Sequence, residues 1–379
     1  MTGIAEGALD IVLVLLILVV LVVIHEFGHF LTARWAGVRV HEFGIGFPPR
    51  ARIFARDQET IYTLNWLPIG GFVRLEGEEG ESEDPRAFVS QPLHTRIVIL
   101  LAGVAMNFLL ALVIFTLIAG LADPVANIRV AAVQPDSPAA AAGLRGGQEV
   151  GETPDGDPLY DESGDLIVAI DGRRFAVFED VTQGGQGPLA YLRERAGETV
   201  SLTVRDPDGT ERVVEATLRP RETDGSPPRE GALGVAVQRL PQEDVQRDPI
   251  SAISAGWSRT LDASTLILRG VGELITNIAD PQVSGPIGIV TTVGAVRAEL
   301  PPIFLIWFIG LLSANLAVVN ALPFPPMDGG RVLVSLVQRV SGNRMSTATE
   351  RLVYLAGFIL LMALIVWISY FDIQRLGGT

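Results

Sequence analysis

Four long charge-free apolar runs constrain this chain more than any other feature: Ile11–Ile24, Ile97–Ala122, Pro301–Met327 and Leu352–Phe371. Each approaches or exceeds the roughly 20 residues that a helix needs to cross a bilayer. The mean hydropathy of +0.37 agrees with a chain that keeps much of its apolar surface out of water. A soluble core has no room for four such runs in 379 residues. The expectation is therefore an α-helical polytopic membrane protein with four transmembrane helices and the lipid bilayer as its first partner. The first run has no basic segment before it and carries a polar motif, so we read it as a span and not as a cleaved signal peptide.

That motif is His25-Glu26-Phe27-Gly28-His29. Residues four apart share one face of a helix, so both imidazoles can reach one Zn²⁺ at about 2.0–2.1 Å. Glu26 is then placed to act as general base toward water at such a centre. Two histidines and a glutamate could also form an ordinary polar helix end. Ionisable groups inside a span are costly and usually functional, which favours the metal. Cysteine is absent, which removes disulfides, thiolate ligands and a cysteine nucleophile. All 29 basic residues are arginine, and the net charge of −14 argues against a nucleic-acid partner.

Charge placement predicts orientation. Arg34, Arg39, Arg50, Arg52, Arg56, Arg74, Arg86 and Arg96 follow the first span, whereas Glu6 and Asp10 precede it. The positive-inside rule puts this first loop in the cytoplasm. Residues 123–300 then lie outside, 331–351 inside, and both termini outside. The outer region carries 24 Asp and Glu against 13 Arg between Asp123 and Ile250, in keeping with this.

The segments divide as 1–122, 123–222, 223–300 and 301–379. In the first, Glu42–Phe47, Thr60–Trp66 and Pro68–Leu75 read as short strands and hairpins, forming a sheet that dips toward the membrane. Glu76–Asp84 reads as a solvated acidic loop. In the second span, Gly103 permits close helix packing, and Asn107 serves either an interhelical hydrogen bond or a substrate contact. The outer segment runs through Val130–Val133, Ser137–Leu144, Asp165–Gly172, Phe178–Asp180, a helical stretch near Leu189–Ala196, Thr199–Arg205, an Asp-Pro-Asp-Gly turn and Val213–Leu218. This order resembles a bacterial PDZ domain, which binds peptides by strand addition. It departs from that pattern through an insert, Gln148–Gly164, whose Asp155, Asp157, Asp161 and Glu162 read as a solvated loop in preference to a calcium site. Glu222–Glu230 reads as a linker and Ile250–Ile278 as an amphipathic helix along the outer membrane surface. Ser284–Ile289 reads as a break before the third span.

A hydrolytic zinc site needs a third protein ligand and an open position. Asp328 is the candidate: three prolines break the third span before it, and Gly329-Gly330 follow. The first and third spans both run outside to inside, so the histidines and Asp328 end at similar depth. His41 and His94 are read as surface or interface residues.

With these motifs in hand, the chain resembles the site-2 intramembrane zinc metalloproteases of the bacterial RseP type. The resemblance covers nearly the whole chain. It rests on His-Glu-x-x-His, the Gly-x-Gly and Pro-x-Gly-Gly sheet, Ala102-Gly103 with Asn107, the PDZ-like domain, Ser-Gly-Pro-Ile-Gly-Ile and Asn320-x-x-Pro-x-Pro-x-x-Asp328-Gly. Val104 stands where proline is common. The resemblance implies His25, His29 and Asp328 as zinc ligands, Glu26 as base and Asn320 as the group that steadies the scissile carbonyl or its oxyanion. It implies that the sheet around Gly44, Gly46, Gly70 and Gly71 holds an extended substrate. The implied fold is the four-helix membrane protein with a membrane-associated β-sheet and an extracytoplasmic PDZ-like α+β domain, in the bacterial cytoplasmic membrane. Its partners would be single-pass membrane substrates, such as anti-sigma factors and remnant signal peptides, and peptide segments at the PDZ-like domain. Two rivals are a non-enzymatic PDZ scaffold and a different His-Glu-x-x-His membrane peptidase with a glutamate third ligand.

Overall fold

The computed structural model describes residues 2–78, 82–152, 157–177, 187–222, 226, 228, 231–237, 242–276, 283–342 and 346–377. The chain forms two compact units, Met1–Thr116 with Gly256–Thr379, and Leu117–Ala255.

The first unit holds four helices long and apolar enough to cross a membrane. They are the main part of α1 (Thr2–Trp35), α2 (Leu93–Leu121), α7 (Pro302–Ala321) and α9 (Thr347–Gly377). Leu9, Val12, Leu16, Val20 and Leu31 of α1 remain exposed, as a lipid-facing helix requires. Burial of apolar surface cannot drive such helices together in lipid, so close approach of small residues does. A Cβ on Gly28 would lie 2.4 Å from the Ala102 carbonyl oxygen, and one on Gly310 would lie 2.8 Å from the Phe115 ring. Gly357 is pressed against the Pro325 carbonyl in the same way.

Between α1 and α2 the chain makes one long antiparallel hairpin, β1 (Val40–Arg56) and β2 (Ile61–Leu75), in place of the several short strands and hairpins expected. Both strands bend. Residues 40–45 pair with 71–75 on one side and residues 42–45 with 61–64 on the other, while 50–56 pair with 61–65. Gly46 makes one bend possible: its φ is +76°, and a Cβ there would lie 2.5 Å from the Leu67 carbonyl oxygen. The turn is closed by Asp57, whose carboxylate accepts from the Glu59 and Thr60 amides and from Arg34. These donors, Thr60 first, hold its carboxyl down at about 2. Phe30, Val40, Phe43, Leu75, Phe88 and Ile99 pack the hairpin against α1 and α2. In the acidic run, Glu76 pairs with His41 at 2.5 Å and accepts from Ser82. Residues 79–81 lie outside those described.

α5 (Pro249–Thr276) is one amphipathic helix, and its Trp257 ring meets Phe108 of α2 at 5.7 Å. The expected break at Ser284–Ile289 opens a helix, α6 (Pro286–Glu299). Proline suits a first helical position, and the free Gly285 and Gly288 amides donate to Asp372 of α9. The expected loop 331–351 likewise contains α8 (Asp328–Val340).

In the second unit a five-stranded sheet has the order β10-β9-β7-β4-β11, with β4 Ile128–Val133, β7 Leu166–Ile170, β9 Thr199–Arg205, β10 Glu211–Thr217 and β11 Val235–Val237. Its alternating apolar residues, among them Ile128, Val130, Ile170, Val200, Leu202 and Val204, form the core with α3 (Pro138–Ala141) and α4 (Pro188–Glu194). Each such fully buried side chain contributes about 1.5–3 kcal/mol, a driving force absent among lipid-facing helices. A smaller sheet, β12-β3-β8, joins β12 (Gln242–Val245), β3 (Asp123–Ala126) and β8 (Phe175–Ala176). Pairing by β11 and β12 carries this unit past residue 222. The insert is a hairpin, β5 (Glu149–Glu152) and β6 (Pro158–Tyr160). Asp161 is used locally, accepting from the Gln148 and Ser163 amides. Asp157, Asp161 and Glu162 form no metal-ligating group among the described residues. Asp155, Phe178–Asp180 and most of the 222–230 linker lie outside the described residues.

Candidate metal centre

Helix α1 carries His25 and His29 one turn apart, facing α2 and the start of α8. Asp328 reaches them because Leu322–Met327 break the chain and α8 begins at Asp328 itself. The break is tight: a Cβ on Gly329 or Gly330 would fall within 2.4 Å of the backbone of Ala321 or Phe324–Pro325. The expectation of an unwound segment holds for 322–327, while Asp328 is the first helical residue beyond it.

His25 Nε2 lies 2.9 Å from Asp328 Oδ2, His29 Nε2 lies 3.4 Å from the same oxygen, and the two Nε2 atoms are 3.2 Å apart. A tetrahedral zinc with ligands at about 2.0–2.1 Å holds its donors about 3.3 Å from one another. The three residues are buried, and Asp328 Oδ2 has no donor in hydrogen-bond geometry. This is the only His/Cys/Asp/Glu group of metal-binding geometry among the described residues. It contains no glutamate, which disfavours a glutamate third ligand.

The outer contacts favour the ligating tautomers. His29 Nδ1 is 2.8 Å from the Ile99 carbonyl, so Nδ1 carries the proton and donates, leaving the Nε2 lone pair free. His25 Nδ1 is 3.4 Å from the Asn107 amide, which is fully buried. A half-turn of that amide brings Oδ1, otherwise unpartnered, to accept the Nδ1 proton. Ser313 of α7 donates to the Asn107 carbonyl at 2.8 Å and ties this part of α2 down. The contact with His25 favours the interhelical reading of Asn107.

The sequence did not point to Gly103 as part of this site. A Cβ there would lie 2.5 Å from His29 Nε2 and 2.7 Å from His25 Nε2, so only glycine leaves room for both rings. The available signal was spacing: Gly103 and Asn107 are four apart and share the face of α2 turned to the histidines.

Glu26 is half-buried beside the centre, and its Oε2 accepts from the Val73 amide of β2 at 3.1 Å. Gly71 is the nearest of the four sheet glycines, with Cβ space 3.8 Å from Glu26 Cγ, and Gly70 lies against Val22. Gly44 sits under the Phe72 ring and Gly46 at the strand bend, both within the sheet. Asn320 donates to the Leu316 carbonyl of its own helix at 3.0 Å. Arg331, one turn past Asp328, pairs with Glu78 at 2.7 Å. His41 is paired with Glu76 and His94 is exposed, so neither stands at the centre.

The sequence profile of peptidase family M50 matches residues 13–364, a span that takes in His25, His29 and Asp328. The chain belongs to peptidase family M50. M50 membership makes it a metalloprotease, and its two imidazoles and one carboxylate are a donor set suited to zinc. The zinc metalloprotease RasP of Geobacillus kaustophilus is 28% identical over 436 residues, covering 94% of this chain and 95% of that protein. RasP of Oceanobacillus iheyensis is 27% identical over 443 residues, covering 94% and 97%. A Clostridium perfringens protein, named provisionally as a zinc metalloprotease, is 32% identical over 363 residues, covering 96% and 98%.

Proposed function

We infer that this M50 member is an intramembrane zinc endopeptidase of the bacterial cytoplasmic membrane that cuts single-span substrates in regulated intramembrane proteolysis. Anti-sigma factors and remnant signal peptides are the substrate classes. The observation that carries the reading is the donor triangle of His25, His29 and Asp328, with Glu26 beside it on a helix able to span the membrane. Zinc held there would supply a Lewis acid and lower the pKa of water at the centre. Asn107 and the Ile99 carbonyl hold the imidazoles in their ligating tautomers. Glu26 takes the proton released in hydrolysis and returns it to the leaving amine. A helical substrate hides its peptide bonds, so it must be drawn out as a strand. The edge of residues 71–75 offers backbone partners for that, with Gly70 and Gly71 leaving room beside α1 and Gly44 and Gly46 shaping the sheet behind. Asn320 would leave its own helix to donate to the scissile carbonyl oxygen.

The decisive experiment compares wild type with Glu26→Gln on a tagged single-span substrate. The variant should retain zinc and lose cleavage, because an amide cannot accept the proton; near-normal turnover would refute the assignment.

Positive-inside charge supports a cytoplasmic β hairpin and an extracytoplasmic second unit, which we read as a PDZ-like filter that admits substrates already trimmed outside. A cysteine introduced at Ser226 should then react with an impermeant thiol reagent in spheroplasts, and one at Ser82 should not. Trimmed substrate should be cut by the full-length enzyme, and untrimmed substrate only after removal of the second unit. Equal cleavage of both forms by the full-length enzyme would dispose of the filter.

A further inference from the structure

Residues 71–75 pair with 40–45 along one edge only, and no described strand covers the other. Alternate amides of a strand point to the same side, so Val73 and Leu75 form a matched pair of donors. Both are taken by carboxylates. Val73 donates to Glu26 Oε2 at 3.1 Å, and Leu75 donates to Glu78 Oε2 at 3.2 Å. The other oxygen of Glu78 is held by Arg331 at 2.7 Å, on the helix that begins with Asp328. Val73, Leu75, Glu78 and Arg331 all line a cavity of about 1520 Å³, so there is space beside this edge for another chain.

We propose that Glu26 and Glu78 are stand-ins for the substrate backbone. Their oxygens occupy the positions that two carbonyl oxygens of an added strand take on an open edge. An incoming chain then has to displace both, and displacement frees Glu26 from Val73 to work at the metal centre. Strand docking and readiness of the base become one event. Without substrate the base is parked on a backbone amide, which restrains hydrolysis of anything not docked as a strand. Glu78 is thus a positioning residue: it guards the second donor and, through Arg331, links the docking edge to the helix that carries a zinc ligand. An amide–carboxylate hydrogen bond is stronger than an amide–carbonyl one, so the resting enzyme gives up affinity for its substrate in exchange for this coupling. The proposal rests on the reading that substrates dock at this edge.

The test uses full-length protein in nanodiscs, stripped of metal by chelator so that nothing is cut. The probe is a dye-labelled peptide with one stretch of about 20 apolar residues. Its Kd is measured by fluorescence anisotropy for wild type, Glu26→Ala, Glu78→Ala and Glu26→Gln. Hydrogen exchange of the Val73 and Leu75 amides is followed with and without peptide. Removing either carboxylate should tighten binding roughly tenfold to a hundredfold, the loss of one competing charge-assisted hydrogen bond. Glu26→Gln keeps an acceptor and should fall between Glu26→Ala and wild type. Peptide should also change the exchange of both amides in wild type. If the amides respond to peptide and neither alanine variant tightens binding, docking at the edge stands and the stand-in idea is overturned. If peptide binds and leaves both amides unchanged, the docking reading itself fails, and the inference with it.

Discussion

The candidate metal centre and the second unit bury charge in opposite ways. In the second unit Asp165 is fully buried, and its carboxylate accepts from the Arg145 amide and from the Arg212 guanidinium at 2.6 Å. Asp123 is fully buried too and pairs with Arg247 at 2.6 Å. Both of these buried anions have their own cation within the chain, which offsets the cost of burying them. In the first unit His25, His29 and Asp328 are buried with no arginine among them. Their lone pairs converge within 3.4 Å of one another. One arrangement is complete as protein, whereas the other is complete only around a cation, and this separates a structural buried charge from a functional one.

If that contrast is right, breaking it should give effects of graded size. Asp328→Ala should have the largest: zinc retained after dialysis falls from one per chain to none, and cleavage goes with it. Metal analysis on folded, purified protein decides this, and full retention would mean that Asp328 is no ligand. Next is Gly103→Ala, which forces a methyl against both imidazoles. Zinc affinity should drop roughly 10- to 100-fold, the range seen when an orienting partner of a ligand is lost. Competition with a chelating dye reads it, and an unchanged affinity would show that α2 yields easily. Smallest for the enzyme is Arg212→Ala. It should destabilise the second unit by about 3 kcal/mol, by stranding part of the Asp165 charge, and leave zinc affinity untouched. Faster hydrogen exchange at Ile167 and Val168 with unchanged metal content is the expected pair of results. A fall in zinc content would erase the distinction between the two kinds of buried charge.

The spans and the residues of the donor triangle were legible in the sequence for physical reasons. Twenty apolar residues admit few folds, and the i, i+4 spacing of His25 and His29 fixes their common face. Asp328 was legible because three prolines stop a span just before a carboxylate. Helix α6 was not, because Ser-Gly-Pro-Ile-Gly reads locally as a breaker. Its anchor, Asp372, lies more than eighty residues away. The length and the bends of the hairpin were missed for a related reason: alternation reveals a strand, but not that residues 42–45 have partners on both sides. Gly103 was legible as a packing residue only, since the groups it makes room for belong to another helix.

The ligand positions also order events during synthesis. Two of the proposed ligands belong to the first helix, and the proposed third is Asp328, made far later. At about 5–20 residues per second, roughly 15–60 s separate the making of His29 from that of Asp328. Through that interval the growing chain holds Glu26 and two imidazoles and lacks the carboxylate that closes the proposed ligand set. With the proposed ligand set, a nascent protease beside other nascent membrane proteins would stay silent until Asp328 has been made.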